Sequence, residues 1–104
     1  MLYGEFIDSL ARERCPDDME SCLQALWYDA VGEWHTAHGI VQQMDDVMAA
    51  RIHAYLHRKE GDEWNARYWH RHAGSEFPQG VALQAEWELL LRELLEGGQV
   101  PDMA

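Results

Sequence analysis

Basic charge is scarce in this chain. Eight Lys and Arg stand against nineteen Asp and Glu in 104 residues, a formal net charge of -11. Phosphate backbones are bound by clustered Lys and Arg, so no nucleic-acid partner is expected, and anionic membrane surfaces are disfavoured for the same reason. Basic proteins, cations and neutral molecules remain open as partners. Long hydrophobic runs are missing too: nothing approaches the ~20 apolar residues that cross a bilayer. The opening MLYGEFIDSLARER has no basic leader ahead of an apolar segment, so it does not read as a secretory signal and a cytoplasmic location is expected. Cysteine is limited to Cys15 and Cys22, expected to be reduced and packed rather than bridged. No Gly-rich phosphate loop, nucleophile elbow or HExxH motif occurs, and Ser9, Ser21 and Ser75 have no nucleophile context. No stretch alternates with period two for long enough to suggest a sheet.

What is present is helical periodicity. Leu2, Phe6, Ile7 and Leu10 form an apolar stripe over residues 2 to 14, which Pro16 ends. Asp17, Asp18 and Glu20 supply negative charge at the start of a second helix reaching Val31, and Gly32 breaks it. Trp34, Ala37, Ile40, Val41 and Met44 share a side of a third helix, despite Gly39, which costs about 1 kcal/mol relative to alanine. Asp45 and Asp46 are natural N-caps for a fourth helix with Met48, Ile52, Tyr55 and Leu56 on its apolar face. Gly61 suits a left-handed helix stop and Asp62 caps a fifth helix, Glu63 to Ala73. Gly74 to Gly80 is a loop, and Val81 to Glu96 is an amphipathic last helix before Gly97 and Gly98. The expectation is an all-α chain of about six short antiparallel helices, in a helical-hairpin or bundle arrangement. Residues 1–98 form one domain in this reading, and 99–104 a flexible tail.

Sliding Ala25 to Met44 onto Ala54 to Ala73 matches Ala25 with Ala54, Gly32 with Gly61 and Ala37 with Ala66, with Glu33 over Asp62. Small residue, turn glycine, capping acid and small residue recur in order. This skeleton resembles tetratricopeptide and Sel1-like repeats, most fully over residues 47 to 78, where Ala54, Gly61, Asp62, Ala66, Ala73 and Pro78 stand at the spacing of one repeat. Such repeats recur about every 34 residues, and the shift here is shorter. His53, His57 and His70 occupy places where that family usually has apolar or aromatic side chains. HAYLHRKEGD with NARYW is also similar to small bacterial proteins of uncharacterised function, a likeness that implies no activity.

The stretch His53 to Gly74 holds four of the six histidines. His53 and His57, at i and i+4 on a helix, place two imidazoles side by side where a transition metal can bridge them. His35 and His38 form a second pair at i, i+3, and Glu33, Glu60 or Asp62 could complete a shell. Such a set suits zinc, nickel or iron. In an enzyme the metal would polarise a substrate or activate water, with Glu60 or Glu33 as proton acceptor. The plainer reading leaves His53 and His57 partly buried and hydrogen-bonded to neighbours such as Glu60, with no cofactor required. His70 and His72 lie on different faces, so one should pack and the other be solvated. Arg67 and Arg71 are expected in intramolecular ion pairs. Trp34, Trp64 and Trp69, with Glu60, are candidates to line a binding cleft. The leading expectation is therefore a protein-interaction module acting through a partner protein or a homo-oligomer. The alternative is a metal-binding protein or metal-dependent enzyme built on His53, His57, His35 and His38.

Overall fold

The computed structural model describes residues 1–96. Among these residues the chain forms six helices and no strand: α1 (Tyr3–Ala11), α2 (Ser21–Ala30), α3 (Trp34–Val41), α4 (Val47–Lys59), α5 (Glu63–Ala73) and α6 (Leu83–Glu96). The fold is all-α, as the periodicity predicts, and no described helix is long and apolar enough to cross a membrane. The tail expected from residue 99 onward lies outside the described residues.

Capping explains most of the boundaries. Asp46 Oδ1 accepts the Ala49 N–H at 2.7 Å and Asp62 Oδ1 accepts the Asn65 N–H at 3.2 Å, so α4 and α5 start where the sequence places them. Gly32 and Gly61 sit at φ +87° and +90°, a region that glycine enters without steric cost. The two turns close alike. Gly32 N–H donates to Asp29 O at 3.0 Å and Glu33 N–H to Tyr28 O at 2.8 Å; Gly61 N–H donates to Arg58 O at 3.1 Å and Asp62 N–H to His57 O at 2.8 Å. The echo between residues 25–44 and 54–73 thus extends to backbone geometry: each half is a helical hairpin closed by the same hydrogen-bonded turn.

Four boundaries differ from expectation, the first being the end of α3, which stops at Val41 and leaves Met44 outside the helix. α1 stops at Ala11, several residues ahead of Pro16, because Glu13 takes the left-handed conformation (φ 55°). Its N–H then bonds Leu10 O at 3.0 Å and the Arg14 N–H bonds Ser9 O at 3.2 Å. α2 starts only at Ser21, where the Glu20 carboxylate accepts the Cys22 N–H at 3.1 Å. α6 begins at Leu83, after a turn in which Val81 N–H donates to Pro78 O at 3.2 Å.

α4 is the central helix and touches α2, α3, α5 and α6. Its Ile52 and Leu56 are fully buried together with Phe6, Leu26, Leu90 and Leu91. Each such side chain contributes about 1.5–3 kcal/mol on leaving water. The buried tryptophans also find acceptors: Trp27 Nε1 donates to Ser9 Oγ at 3.0 Å and Trp87 Nε1 to Leu26 O at 3.1 Å. Arg51 forks onto Glu93 at 2.7 and 3.1 Å, and Arg58 meets Glu86 at 2.6 Å, tying α4 to α6. Arg67 pairs with Glu63 at 2.7 Å, the intramolecular ion pair expected of it, whereas Arg71 is exposed and makes no such pair among the described residues.

Candidate metal centre

His38 on α3 and His53 and His57 on α4 converge. One ring nitrogen from each lies within 4.8 Å of the other two. His53 Nε2 and His38 Nε2 are 3.0 Å apart, so without a metal one carries the proton and the other accepts it. Two imidazole nitrogens on one tetrahedral zinc ion, at ~2.0–2.1 Å from it, are about 3.3 Å apart. The pair is therefore already close to a ligating separation.

Sequence and packing together build this geometry. His53 and His57 are one helical turn apart on α4, their rings stacked with centroids 5.0 Å apart. His38 follows Trp34 by one turn of α3, and their rings stack at 4.9 Å with an 8° interplanar angle. Trp34 Nε1 in turn donates to Leu56 O at 2.8 Å, which fixes the rotation of α3 against α4 and aims His38 at the other two imidazoles. On the opposite side Trp69 of α5 stacks on His53 at 4.1 Å. Glu60 Oε2 lies 2.8 Å from His57 Nδ1, leaving His57 Nε2 as the nitrogen available to a metal. A carboxylate on the far nitrogen of a ligating histidine fixes its tautomer and raises its basicity.

The electrostatics favour the neutral form of His38 and His53, the form that binds metal. Burial, followed by the neighbouring His38 and His57, pushes His53 down to about 4. His38 is lowered as well, first by burial and then by His57.

Of the other residues singled out in the sequence, His35 is exposed and rests edge-on against Trp34, outside the convergent group. Glu33 is also exposed, at the start of α3. Asp62 and Glu60 form a second grouping around His57, but Asp62 is occupied by the Asn65 N–H and side-chain amide. Trp34 and Trp69 flank the imidazoles, whereas Trp64 is 71% exposed and pairs with Tyr68 on the outside of α5. His70 is buried with Nδ1 2.8 Å from Ser75 Oγ, and His72 is exposed. Cys15 and Cys22 are free thiols, and burial pushes Cys22 up to about 12, which makes it a poor ligand.

One constellation escaped the sequence reading. Asp29, in α2, is only 2% exposed and accepts Tyr55 Oη and Lys59 Nζ, each at 2.9 Å. The available signal was that Asp29 continues the inward line of Ala25 and Leu26 on α2. An acid there requires a donor on the facing helix. Comparison with protein-family models, curated proteins and solved structures gives no match, so the functional reading rests on the geometry of these side chains.

Proposed function

We propose that the protein binds a divalent transition metal through His38, His53 and His57, with zinc, nickel and iron as the ions suited to an all-imidazole set. The observation that carries this reading is the convergence of three imidazoles from two helices within 4.8 Å. Glu60 orients His57 from the second layer. Trp34 stacked on His38 and Trp69 stacked on His53 hold the imidazoles in place between aromatic rings, which favours a metal-holding role over hydrolysis at an open cleft. A metal held here ties α3 to α4 and adds its binding free energy to the stability of the fold.

Elemental analysis of untagged protein, followed by zinc titration calorimetry, tests this. Wild type takes up one ion per chain, His35→Ala retains it, and His38→Ala and His57→Ala lose it while remaining helical. A wild type that neither carries nor takes up metal removes the reading.

A second reading, contact with a partner protein or a second copy of this chain, draws on the exposed Trp64 and Tyr68 of α5, whose rings stack 6.3 Å apart. A helical-hairpin relationship to tetratricopeptide and Sel1-like repeats and a cytoplasmic setting would accord with it, as would the free thiols. Light scattering over a concentration series should then give a dimer that Trp64→Ser dissociates. A monomer at every concentration counts against self-association.

A further inference from the structure

A groove of about 370 Å³ lies on the far side of α4 from the imidazoles, between α1, α2, α4 and α6. Small-molecule sites span roughly 300–1,000 Å³ and combine apolar walls with a few convergent polar groups. Here Tyr3, Ile7 and Trp87 are walls and Asp29 with Tyr55 and Lys59 is the polar end. The two donors on Asp29 are unequal. Tyr55 is 3% exposed, and burial and the adjacent carboxylate hold its hydroxyl in the neutral, donating form. Lys59 is in the last turn of α4 with 40% of its side chain exposed, and its flexible stem lets the ammonium swing into water. A carboxylate as buried as Asp29 requires a cation beside it. That cation need not belong to the chain.

We propose that this groove binds a small organic cation, a primary ammonium on an aromatic body, whose nitrogen replaces Lys59 on Asp29 while the body lies against Tyr3, Ile7 and Trp87. Charge favours this class. The charged groups lining the groove are Asp29, Glu88 and Lys59; Glu88 is paired with Arg92 at 2.9 Å, so displacing Lys59 leaves the Asp29 carboxylate to receive the ligand, and the net charge of -11 draws cations towards the protein. The Tyr55 hydroxyl keeps its bond to Asp29 Oδ2 and holds the carboxylate in place as the cation on Oδ1 changes. This site shares no residue with the imidazole group and stands whether or not metal binds.

Phenethylamine is the probe, titrated into wild type with the Trp87 indole N–H followed by heteronuclear NMR. Phenethyl alcohol and hydrocinnamate serve as neutral and anionic probes of similar shape. The amine should give a saturable shift, with both other probes at least about tenfold weaker, since neither can take the place of the Lys59 ammonium on the buried carboxylate. Lys59→Met removes the competing ammonium and keeps the stem; it should bind the amine about tenfold more tightly and gain more in Tm from it than wild type does. Asp29→Asn should lose the preference for the amine. An equal response to the three probes, or a Lys59→Met protein that binds the amine no better than wild type, overturns the proposal. If Asp29→Asn does not fold, these two outcomes still decide.

Discussion

The two faces of α4 bury polar groups in different ways. Residues two apart on a helix point about 200° away from each other, so His53 and His57 face α3 and α5 while Tyr55 and Lys59 face Asp29 of α2. On the Asp29 face both carboxylate oxygens have donors, one from a hydroxyl and one from an ammonium. On the imidazole face His38 and His53 share one hydrogen bond between ring nitrogens that a metal ion can take in its place, with His57 beside them held by Glu60. Full pairing locks two helices together, whereas an imidazole cluster holds them in a form that responds to metal and to pH.

Four experiments test this contrast. The largest effect should come from Lys59→Met, which leaves Asp29 buried without its counter-charge. A loss of about 3 kcal/mol in urea unfolding is expected, at the low end for broken buried pairs because Lys59 is itself partly solvated. A loss under about 1 kcal/mol would mean that Asp29 is served by water and that the two faces are alike. Zinc should act on the other face alone. At ~100-fold excess over its Kd it adds about 2.7 kcal/mol to the stability of wild type and of Lys59→Met, and nothing to His38→Ala. Zinc stabilisation that disappears in Lys59→Met would show the two faces to be coupled.

Acid should weaken the imidazole face. In metal-free protein the folded-state values of His38 and His53 lie below the ordinary 6.5, burial being the first cause of each; burial lowers His70 likewise, outside that face. The unfolded chain therefore binds protons that the native chain refuses. This stability is complete above about pH 6.5 and is lost as pH falls towards about 4, with His53 alone accounting for about 2 kcal/mol between pH 7 and pH 5. Urea titrations at the two pH values should show that loss in wild type and a smaller one in His53→Gln. An equal loss in both would assign the acid response elsewhere. The smallest effect is on α3. Gly39 lies mid-helix, and a Cβ there would meet nothing within 4 Å. Gly39→Ala should add roughly 0.5–1 kcal/mol and, by stiffening the helix that carries His38, raise zinc affinity. Unchanged affinity would mean that α3 is already rigid at His38.

Much of the fold was legible because its signals are local. Asp46, Gly61, Asp62 and Gly74 mark helix ends through hydrogen bonds that span no more than five residues. Glu13 was not legible as a helix stop, since a left-handed glutamate carries no compositional mark and the nearby Pro16 offered a simpler one. In the candidate metal centre, the i, i+4 spacing placed His53 and His57 together. The choice between His35 and His38 depended on how α3 is rotated, and the clue was that His38, not His35, shares a helix face with the inward Trp34. Trp64 and Trp69 looked equivalent as aromatics, yet α5 turns Trp69 onto His53 and leaves Trp64 in solvent.

Periodicity and punctuation in the chain specify six helices, the two glycine-closed hairpins and the paired imidazoles on α4, because each follows from interactions within one or two helical turns. Only packing brings His38 to that pair across 15 residues of sequence and Asp29 to Tyr55 across 26. The rotation and separation of neighbouring helices are set by side chains interlocking over the whole core, and no short window of sequence contains that information.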